Sequence, residues 1–223
     1  MRYQWRRQRR SGWTLLLLFA LIGAMALAWY GRLDPGVTAD APLAGEEGLE
    51  EPEQKLIALT FDDGPRRSTT TELLDGLAQR GVKATFFLIG AQVEANRDVV
   101  RRMDREGHQI GIHTYDHVKL TDLNRTDFDA QVEKTRAELV AALDHNDFLL
   151  RPPYGMLDDS VEAWAGCPII LWSIDPEDWN DQNADRVVQE VVSQARDGGI
   201  ILMHDIFPES VDAALRIVDA LHA

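Results

Sequence analysis

Residues 55–223 predict an α/β fold whose parallel sheet is covered by helices. Three observations lead there. Short apolar runs recur six times along the segment. Helical stretches separate them, several ended by glycine. Ionisable residues gather after the apolar runs rather than before them.

Each element has a local reason. Residues 55–60 (KLIALT) form a short β-rich run. Residues 69–80 place Leu73, Leu74, Leu77 and Ala78 at helical spacing, and Gly81 stops them. Residues 84–89 (ATFFLI) are a second strand. Residues 98–106 are a charged helix ended by Gly107. Residues 108–113 make the third strand and residues 127–143 a long amphipathic helix. Residues 147–151 are the fourth strand, closed by Pro152 and Pro153. A short helix over 158–165 leads to a fifth strand at 168–174 (PIILWSI). A helix over 184–196 ends at Gly198-Gly199, residues 200–203 form the sixth strand, and residues 209–221 form the closing helix. Six such units make either an open doubly wound sheet or a barrel, and pattern alone does not choose. In both, functional side chains collect at the C-terminal ends of the strands.

The strand ends carry that chemistry. The first strand runs into Phe61-Asp62-Asp63-Gly64-Pro65 and the third into His113-Thr114-Tyr115-Asp116-His117. The fourth ends at Arg151-Pro152-Pro153-Tyr154-Gly155, the fifth at Asp175-Pro176-Glu177-Asp178-Trp179, and the sixth at His204-Asp205. His113 and His117 are four residues apart, so one helical turn after the strand would put both rings on one side. Two imidazoles and one carboxylate suit a catalytic divalent metal with open positions. The Asp62-Asp63 pair is the evident carboxylate donor, one Asp on the metal and the other free as a base. A metal acidifies bound water and polarises a carbonyl, a carboxylate accepts the water proton, and His204 stands ready to protonate the leaving atom. The reaction class is metal-assisted acyl hydrolysis, with an amine as the leaving group.

These blocks, TFDDG, HTYDH, RPPYG, DPEDW and LMHD in that order, resemble the polysaccharide deacetylases with the NodB homology domain (carbohydrate esterase family 4), from residue 55 to the end. The resemblance implies a distorted (β/α) barrel of the NodB homology type and removal of N-acetyl groups from sugars. It implies Asp62 as the catalytic base. It implies Asp63, His113 and His117 as ligands to a divalent metal, Zn2+ first and Co2+ or Ni2+ next. Thr114 fits the residue that braces the ligand loop. Arg151 holds Asp62, and the Tyr154 backbone N–H faces the developing oxyanion. His204 is the general acid, oriented by Asp178, with Asp175 the fallback. Trp179 and Leu202 wall the pocket for the acetyl methyl. Asp116 and Asp205 have structural readings, and His108, His145 and His222 have surface or strand-edge ones. Two features depart from a simple transfer: acidic residues follow the Arg-Pro-Pro block at 156–159, and few insertions exist to build a long groove, which leaves a shallow, open site.

Charge divides the chain. The net charge of −14 argues against nucleic acid as a partner. Residues 1–35 hold six Arg and one Asp, a net of +5, which leaves −19 for residues 36–223. Residues 1–12 are therefore a basic cytoplasmic n-region, and residues 13–30 an apolar transmembrane anchor or signal helix. Arginines on the near side place the rest across the membrane. An uncleaved anchor is the expectation, with secretion after cleavage near Ala26 or Ala28 the alternative. Residues 31–54, rich in Pro, Gly and Glu, are an acidic flexible linker, and residues 55–223 the catalytic domain. Cys167 is the only cysteine, so no intramolecular disulfide exists, and a small buried filler is its expected role.

The expected partners are an N-acetylated glycan and, through the N-terminal helix, the membrane; a monomer with no protein partner is expected. Peptidoglycan N-acetylglucosamine leads as substrate because of the anchor, ahead of chitin oligomers or an exopolysaccharide. An O-acetyl (acetyl xylan) esterase and a non-catalytic glycan-binding protein on the same fold are the alternatives. A phosphatase of the Asp-x-Asp-Gly type fails on spacing, because Asp62 and Asp63 are adjacent. The acidic excess predicts poor attraction to anionic polymers and suits a neutral glycan.

Overall fold

The computed structural model describes residues 55–222. Five strands pair in parallel: β1 (Ile57–Asp62), β2 (Thr85–Leu88), β3 (Gln109–Ile112), β4 (Leu149–Leu150) and β5 (Gly199–His204). Their spatial order is β4-β3-β2-β1-β5. Residues between β4 and β5 close the ring. Ile169 bridges to Leu150 and Ile174 to Ile201, both in parallel sense. The sheet is thus a barrel, distorted at the closing segment, as the resemblance implied.

That closing segment departs from the expected fifth strand at 168–174. It forms two isolated bridges and no ladder. The physical reason is Arg151. Its Nε donates to the Ile170 carbonyl at 3.0 Å and its Nη2 to the Leu171 carbonyl at 3.1 Å. Backbone acceptors that would join a ladder are turned onto a buried guanidinium.

The helices lie outside the strands. They are α1 (Arg67–Arg80), the single turn α2 (Gly90–Val93), α3 (Arg97–Arg105), α4 (Arg125–Leu143), α5 (Asp159–Trp164), α6 (Asp178–Asp181), α7 (Ala184–Gln194) and α8 (Pro208–Leu221). Asn124, Asp158 and Asn183 cap α4, α5 and α7, each accepting a backbone N–H three residues on.

Period-two alternation assigns each strand residue to a layer. Leu59 and Phe61, Phe86 and Leu88, Ile110 and Ile112, Leu150, and Ile201 and Met203 face the helices and form the main core. Each large side chain sealed there stabilises the fold by roughly 1.5–3 kcal/mol. The alternate positions, Thr60, Asp62, Phe87, Gly111, Leu202 and His204, face inward. Gly111 is required there: a Cβ would sit 2.4 Å from the Phe87 ring. The inner face therefore carries nearly all the chemistry.

Three expectations need correction. The transmembrane or signal helix at 13–30 lies outside the described residues, with the n-region and the linker. Among the described residues no helix is long and apolar enough to cross a membrane. The longest, α4, has 19 residues but carries Arg, Asp, Glu and Lys along its length. The architecture of the described residues is the barrel, and the membrane partner and membrane anchoring are withdrawn. His108 is buried rather than superficial, with Nδ1 accepting the Ala84 N–H at 3.1 Å. Cys167 is half-buried rather than sealed, 3.6 Å from Arg136 Nη2.

Candidate active site

Asp63, His113 and His117 offer ligand atoms that all lie within 4.8 Å of one another. His117 Nε2 is 3.2 Å and His113 Nε2 3.5 Å from Asp63 Oδ1. A tetrahedral ion with ligands at about 2 Å separates those ligands by about 3.3 Å. Asp63 Oδ1 is buried and has no hydrogen-bond partner among the described residues. Orphaned buried acceptors are costly, and a cation would satisfy this one. His113 Nδ1 lies 2.7 Å from the Arg151 carbonyl. A carbonyl only accepts, so Nδ1 carries the proton and Nε2 presents its lone pair to the cradle. Burial pushes His113 down to about 3, with His117 adding to the effect, so the ring is a neutral donor. The donor set fits a divalent metal.

The loop that delivers the histidines is not the expected helical turn. Thr114 and His117 both take left-handed backbone conformations, with φ of 62° and 56°. The chain reverses there instead of coiling. Thr114 is fully buried, and its hydroxyl accepts the Val118 N–H at 3.3 Å, which ties the loop shut. Asp63 is also left-handed, at φ 71°. The turn after it needs Gly64, because a Cβ there would come within 2.5 Å of the Asp205 carboxylate. Asp205 is buried and accepts from the Thr70 hydroxyl, as its structural reading expected.

Asp62 ends β1 and points inward. Its Oδ1 accepts from Arg151 Nη1 at 2.8 Å, and its Oδ2 lies 3.7 Å from His113 Nε2. Thr60 accepts from the same Nη1 at 2.8 Å and donates to the Ile201 carbonyl at 2.6 Å. The guanidinium lies 4.1 Å from the Phe87 ring centroid. Burial raises the Asp62 carboxyl to about 6 against the lowering pull of Arg151. Two adjacent carboxylates thus have different neighbours, Asp62 on Arg151 and Asp63 in the cradle.

His204 ends β5. Asp178, fully buried at the start of α6, accepts the His204 backbone N–H with Oδ2 and its Nδ1–H with Oδ1, both at 2.8 Å. Asp175 instead accepts the Glu177 N–H at 2.9 Å. Burial alone would lower His204; the Asp178 hydrogen bond and charge, with Asp63 and Asp62 beyond, overcome it and raise the ring to about 9.

These groups surround one cavity of about 460 Å³. Asp62, Asp63, His113, His117 and His204 line it, with Tyr154, Trp179 and Leu202. Arg151 stands behind Asp62. Tyr154 is left-handed at φ 63°, and its exposed ring meets the His117 ring edge-on at 4.8 Å. Leu202 is buried, while half of Trp179 is open to solvent. Trp172 and Phe207 also line the cavity, and Thr60 supports Arg151. Sequence reasoning missed all three. Trp172 left a faint signal, a large aromatic near the end of a predicted strand. A lone Phe207 and a strand threonine left none.

Fold and site together define a class: a (β/α) barrel with a three-ligand metal cradle, a free carboxylate and a His–Asp pair around one cavity. The polysaccharide deacetylase family model matches residues 50–166. The chain belongs to the polysaccharide deacetylase family. It is 39% identical over 176 residues to the Bacillus subtilis peptidoglycan-N-acetylmuramic acid deacetylase PdaC, covering 79% of this chain and 38% of that protein. It is 45% identical over 152 residues to the Listeria monocytogenes peptidoglycan-N-acetylglucosamine deacetylase PgdA, covering 68% of this chain and 33% of that one. The chain thus spans well under half the length of these relatives. A solved structure of B. subtilis PdaC superposes with a TM-score of 0.74 at 40% identity, over 77% of this chain and 85% of that one.

Proposed function

We propose that the protein is a metal-dependent N-deacetylase of glycans containing N-acetylglucosamine, with peptidoglycan the first substrate and Zn2+ the ion. The observation that carries this is a division of proton chemistry across one cavity. A carboxyl held near 6 and an imidazole held near 9 face each other over a three-ligand cradle. Near neutral pH the first is mostly a base and the second mostly an acid. Similarity to the two peptidoglycan deacetylases supports the glycan. Two imidazoles and a carboxylate are donors that suit Zn2+, with Co2+ or Ni2+ as substitutes.

Asp63, His113 and His117 hold the ion, which when bound polarises the acetyl carbonyl and acidifies water. Asp62, steadied by Arg151, takes a proton from the water that attacks the carbonyl carbon. The Tyr154 backbone N–H stabilises the oxyanion. His204, held by Asp178, gives its proton to the sugar nitrogen as the C–N bond breaks, leaving acetate and a free amine. Trp179 and Leu202 enclose the acetyl methyl.

The test is acetate release by the full chain from peptidoglycan, chitooligosaccharides and acetyl xylan, before and after chelation. Release from the N-acetylated glycans, lost with chelator and restored by Zn2+, is expected. Release from acetyl xylan alone would transfer the assignment to the O-acetyl esterase. No acetate from any of them would leave the glycan-binding reading.

A further inference from the structure

A second cavity borders the cradle. It measures about 440 Å³ and shares Asp63 and His117 with the first; Arg66, Arg67, Gln92 and Asn96 stand in its wall. Its two arginines are not equivalent. Arg67 gives both Nη atoms to Asp98, at 2.5 and 2.6 Å, so its charge is matched. Arg66 forms no ion pair among the described residues. One Nη1–H goes to the Ile206 carbonyl at 2.9 Å, which pins the guanidinium to the cavity wall. A guanidinium has five N–H donors in a planar fork that fits a carboxylate. Asp63 is the one carboxylate in this wall among the described residues, and the cradle engages it. Lys119 likewise has no ion-pair partner among the described residues; its Nζ is 5.7 Å from the Tyr154 ring centroid, beside His117.

We infer that the second cavity is a subsite for a carboxylate-bearing sugar next to the one that is deacetylated, with Arg66 as its recognition group. This rests on the deacetylase reading above. A glycan whose N-acetyl group enters the first cavity meets the second where the two share Asp63 and His117. Chitin offers only neutral sugars there. A lactyl ether on the neighbouring sugar, as in N-acetylmuramic acid of a strand free of its stem peptides, offers a carboxylate. The acidic surface repels polyanions at long range, while Arg66 selects one carboxylate at short range.

The experiment compares kcat/KM on tetra-N-acetylchitotetraose with kcat/KM on a tetrasaccharide of alternating N-acetylglucosamine and N-acetylmuramic acid with free lactyl carboxylates. The full chain should prefer the carboxylated substrate by about tenfold at low salt, the ratio that one good charge-assisted pair gives. Added salt should shrink that ratio. Arg66→Gln should bring it close to one, and Arg66→Lys should keep part of it. A wild-type ratio near one, a preference indifferent to salt, or a ratio unchanged in Arg66→Gln overturns the subsite while acetate release keeps the deacetylase reading. Absence of acetate from both substrates overturns both. Should Arg66→Gln fail to fold, Arg66→Lys and the wild-type salt series decide.

Discussion

The two sides of the cavity are built on different principles. On the metal side, Asp63 and His117 themselves hold left-handed backbone conformations, as does Thr114 between the two histidines. Such conformations cost non-glycine residues roughly 1–3 kcal/mol each. On the opposite side, His204 ends a regular strand and Asp178 starts a helix. Left-handed residues occur there too, but at Glu177 and Gln182, outside the functional pair. The cradle converges three ligands by bending the chain at the ligands, and a bound ion can repay that cost. The His204–Asp178 pair is locked by burial and two hydrogen bonds, which need no ion. One side should therefore depend on metal for its order, and the other should not.

The largest effect tests the cradle. His113→Ala or Asp63→Ala removes one of three ligands and should reduce bound metal far below one equivalent, measured by elemental analysis. Acetate release should fall to background. Full metal content in either variant would refute the ligand assignment.

Removing the proton-transfer groups should separate metal from turnover. Asp62→Asn should lower kcat by about 10²–10⁴, the usual worth of a positioned acid or base, with metal content unchanged. If metal is lost as well, the division between Asp62 and Asp63 is wrong. His204→Ala should fall in the lower part of that range and also keep its metal. Unchanged turnover would remove His204 as the acid.

Much of this asymmetry was legible in the sequence, and the illegible part has physical causes. Parallel strands buried on both faces read as apolar runs, so β1 to β5 were all visible, and ionisable residues after them marked the functional end of the barrel. The run at 168–174 was misleading because PIILWSI is apolar whether it pairs in a ladder or lends its carbonyls to Arg151. Nothing in a single sequence tells those uses apart. The spacing of His113 and His117 suggested a helical turn because a left-handed conformation at a threonine and a histidine has no residue signature, unlike one at glycine. Asp178 and Asp175 both stayed open as the partner of His204, because the motif resemblance implied only a carboxylate of that block; in space the choice is plain, since only Asp178 reaches His204.

The pH profile sharpens the comparison further. Asp62 must be ionised and His204 protonated, so kcat/KM should rise through an acid limb near 6 and fall through an alkaline limb near 9. His204 owes its high value to Asp178, against a burial effect that acts downward. Asp178→Asn removes the charge and leaves burial in place. The alkaline limb should then move down by more than one pH unit, while the acid limb set by Asp62 stays. Activity at pH 8 should fall more steeply than at pH 6. An alkaline limb that stays near 9 in this variant would show that Asp178 does not set the His204 pKa. Titrating His204 by NMR in the metal-stripped wild type gives the complementary check: its elevation should persist, because its main source lies off the metal side.

The smallest effect isolates the strained loop. Thr114→Ala deletes the hydroxyl that accepts the Val118 N–H and leaves every ligand and the His204–Asp178 pair untouched. A hydrogen bond of this kind contributes about 0.5–1.5 kcal/mol. If the loop depends on it to hold its left-handed turn, the loss appears in the pre-organisation of the cradle. Metal affinity should weaken by about two- to tenfold, read from competition with a chelator. Activity at saturating Zn2+ should change little, because excess ion restores the occupied state, and the alkaline limb should stay where it was. Equal loss of activity at limiting and saturating metal would mean that the hydroxyl supports the barrel as a whole. The contrast between a metal-ordered wall and a self-ordered one would then fail at its most sensitive point.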